Sequence, residues 1–310
     1  MNVVFMGTPD FAAGILQALL DASYTVTGVV TQPDRPSGRK RELKPGPVKE
    51  IALQHDIPVF QPTKIREAEA VETVRAMNPD LIVVAAFGQI ISKELLDLPK
   101  YGCINVHASL LPAYRGAAPI QHAILDGCDS TGVSIMRMNE GLDTGDIISV
   151  REIPVSENET GGSLFDKLAV LGAELLLDTI PSIVDGSAVY TPQPAESTTA
   201  YASMMKKEMG HIDWSEDAET IMRKIRAFSP WPSAYTMLDK KALKIWSAHI
   251  EKADLTGEEP GKILRQDNRG FYIATGKGIL CPDEVQLAGK KKMTAAEFLR
   301  GYVIRDNHLV

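Results

Sequence analysis

The sequence predicts an α/β fold, in which a doubly wound, mostly parallel sheet precedes a second, smaller domain built as an OB-like β-barrel. The chain opens with a βαβ pattern, because apolar strand runs at 2–6 and 25–31 flank a run of helical spacing at 11–20. A continuous apolar run at 81–86 is typical of a central parallel strand that helices cover on both faces. From residue 212 onward short strands follow one another closely, a pattern typical of a small barrel.

The predicted elements divide the chain into two domains joined by a linker. A chain of 310 residues is longer than one hydrophobic core usually organises. Residues 190–209 lack periodicity and contain Pro192, Pro194 and a cluster of Ser and Thr, so they indicate a linker. We therefore expect a first domain at 1–189 and the barrel at 210–310. Within the barrel the predicted strands lie at 234–238, 243–248, 261–265, 270–274, 278–281 and 284–287.

Composition places the chain among ordinary globular proteins. The fractions of hydrophobic and charged residues, 44% and 24%, are typical of that class. No apolar run reaches the roughly 20 residues that a membrane helix needs. The three cysteines are scattered, and neither a disulfide framework nor a metal site is indicated by their spacing. The strand-like amino end has no basic leader before it, so we expect a cytoplasmic protein without a cleaved signal peptide.

Positive charge is concentrated in two regions of an acidic chain. The net charge is −7, but residues 206–310 sum to +3. Residues 32–47 contain prolines and glycines, so we expect a long exposed loop without regular structure. The arginines of this region suit phosphate groups, although a solvated run of charges explains the same pattern. The cations of 34–49 are Arg35, Arg39, Lys40, Arg41, Lys44 and Lys49.

The candidate chemistry centres on a strand that ends in turn residues at 104–119. Asn105 and His107 lie two positions apart in this strand and therefore share one face, at the carboxyl end where open α/β sheets bind ligands. The loop 139–146 adds Asp143. An amide N–H can stabilise an oxyanion, a neutral imidazole can accept a proton, and a carboxylate can orient that imidazole. Such a set favours acyl transfer through a tetrahedral intermediate.

The pattern supplies no assured nucleophile, so the simplest scheme is direct transfer to a substrate that brings its own. Ser109 has no assured contact with His107, and Cys103 is flanked by apolar residues as in a core. The first turn lacks the Gly-x-Gly-x-x-Gly pattern of a dinucleotide site, since only Gly7 is present. An alternative remains at this point: Asn105 and His107 could be a satisfied polar pair, and Asp143 could be a turn residue.

Several motifs together resemble the 10-formyltetrahydrofolate-dependent formyltransferase family. The first is His107-Ala108-Ser109-Leu110-Leu111-Pro112 with Tyr114-Arg115-Gly116, and it is followed by Gly132-Val133-Ser134-Ile135 and Leu142-Asp143-Thr144-Gly145. Four further stretches resemble the members of this family that act on methionyl-tRNA. They are the opening at 5–11, the basic stretch at 32–39, Lys206-Lys207 and the Phe-Ser-Pro-Trp-Pro sequence at 228–232.

The resemblance implies a Rossmann-like catalytic domain, a formyl donor and a nucleic-acid acceptor. The donor is 10-formyltetrahydrofolate, the acceptor is the α-amino group of initiator methionyl-tRNA, and no metal is implied. The catalytic residues it implies are Asn105, His107 and Asp143. The folate-binding residues it implies are Phe87, Gly88, Gln89, Ile90, Ile91, Ser109, Leu110, Leu111, Pro112, Asn139, Glu140 and Gly141. The tRNA-binding residues it implies are Arg35, Arg39, Lys40, Arg41, Lys206 and Lys207, with the barrel binding tRNA as well.

Three other functions share parts of this resemblance. A sugar-nucleotide N-formyltransferase would use the same chemistry on a small acceptor and would have little use for the basic loop. A hydrolase of the folate donor would use the same three residues with water as the acceptor. A tRNA-binding protein with an inactive catalytic domain would not need the intact trio. We expect a monomer, and we also expect a cis peptide bond between Leu111 and Pro112, as in many tight functional turns.

Overall fold

The computed structural model describes residues 1–37, 42–251 and 257–310. The chain forms two compact units. The first unit consists of residues 1–119, 130–154 and 165–203, and the second consists of residues 120–129, 155–164 and 204–310.

The first unit is built on a seven-stranded sheet. Its strands are β1 (Asn2–Gly7), β2 (Thr25–Val30), β5 (Val59–Phe60), β6 (Leu81–Ala85), β7 (Cys103–His107), β8 (Ser130–Arg137) and β9 (Ile147–Pro154). They lie in the order β5-β2-β1-β6-β7-β8-β9, and only β8 and β9 run antiparallel to their neighbours. The predicted doubly wound, mostly parallel sheet is therefore confirmed. Every residue of β6 is at most 5% exposed, as expected for a strand covered on both faces.

Among the described residues up to 203, the chain forms six helices. They are α1 (Asp10–Asp21), α2 (Pro47–Gln54), α3 (Ala68–Ala76), α4 (Lys93–Leu96), α5 (Pro119–Leu125) and α6 (Gly161–Asp185). The helix α1 has apolar residues at helical spacing, Phe11, Ile15 and Leu19. They share one face of the helix, and this face is buried. Within the described ranges, no helix combines the length and apolar character needed to cross a membrane.

The basic stretch at 32–47 differs from the prediction of a loop without regular structure. Two short strands, β3 (Arg35–Ser37) and β4 (Glu42–Lys44), pair antiparallel, with Pro36 opposite Leu43. A two-stranded hairpin consists only of edge strands, where a residue without an N–H is tolerated. Pro47 then begins α2, because its fixed φ suits a first helical turn. The predicted contacts Arg39, Lys40 and Arg41 lie outside the described residues.

The second unit is built on antiparallel strands. They are β10 (Ala234–Leu238), β11 (Lys241–Glu251), β12 (Ile263–Gln266), β13 (Phe271–Ala274), β14 (Ile279–Leu287) and β15 (Met293–Thr294), in the order β10-β11-β14-β13-β12 with β15 beside β14. A 3-10 helix (Lys207–Gly210) and helices α7 (Ala218–Ala227) and α8 (Ala295–Gly301) accompany them. Their inward side chains, among them Trp214, Ile225, Phe271 and Phe298, form one hydrophobic core.

Residues 307–310 connect the two edges of this second sheet. Ile263 N donates to Asn307 O at 2.7 Å, and Met237 N donates to Val310 O at 2.7 Å. The C-terminal segment therefore bridges β12 to β10, which closes the antiparallel sheet as the predicted barrel requires.

One predicted break in the barrel strands was wrong. The runs at 278–281 and 284–287 form the single strand β14, which passes through Pro282. Pro282 pairs with Ala248, where the register of β11 shifts beside Ser247. Such an irregularity accommodates a residue that cannot donate to the ladder.

Candidate active site

Strand β7 places Asn105 and His107 in the middle of the first unit's sheet. The parallel strand β6 lies on one side of β7 and the antiparallel strand β8 on the other, so that Asn105 pairs with Val84 and His107 with Ser134. Asn105 is 9% exposed and His107 is 6% exposed. The two side chains share one face of β7 because they are two residues apart.

The imidazole of His107 lies between a carbonyl and a carboxylate. Nε2 is 3.1 Å from the carbonyl oxygen of Tyr114, and Nδ1 is 3.8 Å from Asp143 Oδ1. A carbonyl only accepts hydrogen bonds, so Nε2 carries the hydrogen and Nδ1 is the basic nitrogen of the neutral ring. The carboxylate of Asp143 lies within ion-pair range of Nδ1. The structure thus brings together residues 36 positions apart that spacing alone did not join.

The turn after β7 is organised by two serines. Ser134 Oγ donates to Ser109 O at 2.7 Å and accepts from Leu111 N at 3.0 Å. Ser109 is fully buried, and its hydroxyl donates to Ala113 O at 2.6 Å. The hydroxyl of Ser109 therefore supports the turn rather than serving as a nucleophile. The expected cis bond between Leu111 and Pro112 is confirmed.

The predicted folate-binding residues differ widely in exposure. Phe87 and Ile91 are 3% and 5% exposed, whereas Ile90 is 63% exposed and can contact a flat ligand. Gln89 uses both ends of its amide within the protein, since Oε1 accepts from Ile65 N at 2.7 Å and Nε2 donates to Pro62 O at 3.0 Å. This interaction anchors the loop after β6.

The loop 139–146 has its own internal hydrogen bonds. Asn139 Oδ1 accepts from Gly141 N at 3.0 Å and from Thr144 Oγ1 at 2.9 Å. At Gly145 a Cβ would collide with the carbonyl oxygen of Arg137, so the close approach of the two chains requires glycine. Glu140 is exposed on this loop. The side chain of Asn139 thus shapes the loop, whereas Glu140 is exposed.

The predicted tRNA-binding residues that the structure describes are all exposed. Arg35 lies on β3, while Lys206 and Lys207 lie at the start of the 3-10 helix. Among the described residues, no three His, Cys, Asp or Glu side chains are grouped as a metal site requires.

Cys103 is a core residue, as its apolar flanks predicted. It is 1% exposed, its Sγ donates to Leu95 O at 3.4 Å, and burial raises the pKa of its thiol to about 12. Burial likewise raises the pKa of Cys281 to about 11. A thiol with such a raised pKa contains little of the thiolate that acts as a nucleophile.

We expect Cys103 and Cys281 to resist alkylation in the folded protein. At pH 8 a thiol with a pKa of about 12 is ionised in roughly one molecule in 10⁴. Iodoacetamide treatment followed by peptide mass spectrometry should leave both residues unmodified in the native protein and modify both in urea. Modification of native Cys103 at the rate found in urea would contradict this assignment.

Sequence reasoning missed two residues that shape the site, Ser134 and Gln193. Ser134 left a weak signal, because it is a polar residue in an otherwise apolar strand run. Gln193 left none, since its partners Asp143 and Gly145 lie 50 and 48 residues away along the chain.

Solved structures with this fold include a formyl transferase and a protein in complex with tetrahydrofolic acid. One is "WlaRD, a sugar 3N-formyl transferase", with a TM-score of 0.65 and 19% identity, covering 94% of this chain and 99% of that one. Another is HypX from Aquifex aeolicus in complex with tetrahydrofolic acid, with a TM-score of 0.64 and 19% identity, covering 96% of this chain and 46% of that one. At this level of identity the similarity shows the fold alone.

Sequence comparison is more specific. The family described as "Formyl transferase" matches residues 1–180, and "Formyl transferase, C-terminal domain" matches residues 204–303. The methionyl-tRNA formyltransferase of Agathobacter rectalis is 54% identical over 307 residues, which are 99% of this chain and 98% of that protein. The methionyl-tRNA formyltransferase of Bacillus subtilis is 51% identical over 301 residues, which are 97% and 94% of the two chains. The chain therefore belongs to the formyl transferase family and, within it, to the methionyl-tRNA formyltransferases.

Proposed function

We propose that this protein transfers the formyl group of 10-formyltetrahydrofolate to the α-amino group of methionine on initiator tRNA. The observation that carries the proposal is the juxtaposition of His107 and Asp143 at the carboxyl end of β7, beside Asn105, in a chain about half identical to methionyl-tRNA formyltransferases. We propose that the protein acts as a monomer. We also propose a cytoplasmic location, because the similar bacterial proteins are enzymes that act on methionyl-tRNA.

The acceptor supplies the nucleophile. An α-amino group has a pKa of about 7.7–8.0, and an esterified carboxyl lowers it further, so much of the amine is neutral near pH 7.5. The amine attacks the formyl carbon, and the carbonyl oxygen becomes an oxyanion. An N–H of the Asn105 side chain, at the end of β7, is the donor we assign to that oxyanion.

His107 moves the proton. As the new C–N bond forms, Nδ1 takes the proton that the amine loses, while Nε2–H remains bonded to the Tyr114 carbonyl. The imidazolium then passes that proton to N10 of the folate as the bond between the formyl carbon and N10 breaks. Asp143, 3.8 Å from Nδ1, stabilises the charged ring between these two steps. The products are formylmethionyl-tRNA and tetrahydrofolate.

The folate site is proposed along two loops and one turn. Residues 87–91 and 139–141 present main-chain groups together with Ile90 and Glu140, while 109–112 form the rigid turn beside His107. The hydrogen bonds of Gln89, Asn139 and Ser134 support the proposal, because they fix these segments before any ligand binds.

The acceptor separates this proposal from its alternatives. A sugar-nucleotide N-formyltransferase is not favoured, because methionyl-tRNA formyltransferases share 46% to 54% identity with this chain and a sugar enzyme of the same fold shares 19%. A hydrolase would release formate when no amine is present.

The direct test is transfer of a labelled formyl group. Purified protein, 10-formyltetrahydrofolate labelled in its formyl carbon, and charged initiator tRNA should give labelled tRNA that is stable to mild acid. Parallel reactions contain an amino-sugar nucleotide, or no acceptor at all. Label in the sugar, or formate released faster than tRNA is formylated, would overturn the proposal.

The basic stretch at 34–49 is proposed to bind the phosphate backbone of the tRNA. We expect an Arg39→Ala/Arg41→Ala variant to raise KM for charged tRNA, with kcat nearly unchanged. The slope of log binding constant against log salt concentration should become shallower by the amount expected for about two lost phosphate contacts. The measurement is steady-state kinetics with tRNA binding at several salt concentrations.

The matched control for that variant is Arg75→Ala/Lys100→Ala. It removes the same charge, but both residues are exposed. They precede the first residues of β6 and β7, at the amino ends of these strands, and the site lies at the carboxyl ends. If both variants change KM and the salt slope equally, the effect is net charge alone and the basic stretch at 34–49 does not bind tRNA.

A further inference from the structure

The conformation of Asp143 has to be maintained by its surroundings. Its φ is 53°, in the left-handed region that non-glycine residues rarely adopt. Such a conformation persists only where neighbouring contacts hold it. Because the position of its carboxylate relative to His107 depends on this backbone, the residues that hold it bear on the proposed chemistry.

One side-chain amide holds the main chain on both sides of Thr144. Gln193 Nε2 donates to the carbonyl oxygen of Asp143 at 3.0 Å and to that of Gly145 at 2.6 Å. Both hydrogens of the amide are thereby used. The reach is long in sequence, because Gln193 lies on the segment 191–203, which runs back along the first unit.

The orientation of that amide is set by a buried guanidinium. Gln193 Oε1 accepts from Arg115 Nε at 3.1 Å and from Nη2 at 2.9 Å. Arg115 is 6% exposed, and it also donates to Pro194 O at 2.8 Å and Ala195 O at 3.1 Å. An arginine can only donate, so the oxygen of Gln193 must face Arg115 and its nitrogen must face the loop.

The residue after Arg115 holds the carboxylate itself. Gly116 N donates to Asp143 Oδ2 at 2.9 Å, which leaves Oδ1 directed toward His107 Nδ1. The segment 115–116 and Gln193 therefore secure both the main chain and the side chain of Asp143. Ala202, on the same segment as Gln193, ties 115–118 in place, since Ala202 N donates to Arg115 O at 2.8 Å and its carbonyl accepts from Ala117 N at 2.8 Å.

We infer that Gln193 is a positioning residue for formyl transfer, which acts by holding Asp143 where its carboxylate can stabilise protonated His107. The expected effect on kcat rests on the proposed function. The hydrogen bonds by which Gln193 holds Asp143 do not depend on which substrates bind. The buried Arg115 serves the same arrangement by directing the Gln193 amide.

Two substitutions separate the halves of the Gln193 amide. Gln193→Leu removes both the acceptor for Arg115 and the donor to the loop. Gln193→Glu keeps oxygens for Arg115 but has no N–H for the carbonyls of Asp143 and Gly145. We expect both to lower kcat by about 10- to 100-fold, since a displacement near 1 Å at a catalytic group has effects of this size, with KM for folate and tRNA nearly unchanged.

The matched control is Thr27→Val, which deletes a part-buried hydrogen bond at the other edge of the sheet. Thr27 Oγ1 donates to Met77 O at 2.8 Å, and the valine has nearly the same shape. This variant should lose thermal stability and keep kcat. Gln193→Glu should also lose thermal stability, because two carbonyls lose their donor, but it should in addition have a low kcat.

Hydrogen exchange at the amide of Gly116 tests the hold on Asp143 without substrates. This amide is bonded to the Asp143 carboxylate, so its protection should fall in both Gln193 variants and stay unchanged in Thr27→Val. If wild-type protein fails to formylate methionyl-tRNA, the proposed function is wrong while the exchange result still decides the positioning role. If Gly116 stays protected, or if Gln193→Leu retains kcat within about twofold of the wild type, the inference is wrong.

Discussion

Replacing His107 with alanine is expected to lower kcat for formyl transfer by about 10²- to 10⁴-fold, with KM for both substrates nearly unchanged. The substitution removes the only group that we assign to take the proton from the attacking amine. The buried ring contacts neighbouring groups through its nitrogens, so binding surfaces on the loops are retained. Single-turnover transfer of labelled formyl to charged tRNA measures the chemical step directly.

A second substitution at the same position guards against a folding defect. His107→Gln keeps an N–H that can donate to the Tyr114 carbonyl but has no basic nitrogen. It should be as slow as His107→Ala while its circular dichroism and melting temperature stay near those of the wild type. The control His55→Ala removes an exposed imidazole from the first unit and should be fully active. Activity of either His107 variant at the wild-type level would eliminate the proton-transfer role.

Removing the amide of Asn105 is expected to lower kcat by about 10²- to 10³-fold, the usual effect of losing one oxyanion donor. Asn105→Ala leaves the developing charge without its donor. Asn105→Asp places a carboxylate near the oxyanion and should be slower still. Steady-state kinetics at saturating substrates would show this order, because KM reports mainly the contacts that do not change during the reaction.

The order of the two Asn105 variants is the sharper test. If the aspartate variant is as active as the alanine variant or more so, no oxyanion forms beside this residue. The control Asn2→Ala removes an amide that donates to Asn78 O at 3.1 Å at the start of β1, far along the sheet from the carboxyl ends. It should change stability slightly and leave kcat unaltered.

Periodicity along the chain was sufficient to predict most of the sheet and one pair of site residues. Strands β1 and β6 are nearly continuous apolar runs, and burial on both faces demands that pattern wherever it occurs. The shared face of Asn105 and His107 follows from the two-residue repeat of a strand alone. In each case the signal lies within a few residues of the feature that it predicts.

The failures of prediction were equally local. The prolines in 32–47 excluded a central strand but not a two-stranded hairpin, in which both strands are edges. Pro282 similarly indicated a break, whereas the shifted register of the opposite strand lets β14 continue through it. The sequence shows where proline disfavours a strand. Whether a strand forms there depends on how the neighbouring strand pairs with it.

By itself the sequence determined the α/β class, the family and the strand that carries Asn105 and His107, because these depend on short-range pattern and on motifs of adjacent residues. Only the tertiary structure decided that Asp143 meets His107 and that Gln193 and Arg115 hold it there. Those contacts join residues 36 to 78 positions apart in the chain. Such contacts form when the sheet and the segment 191–203 pack together, and no local propensity specifies them.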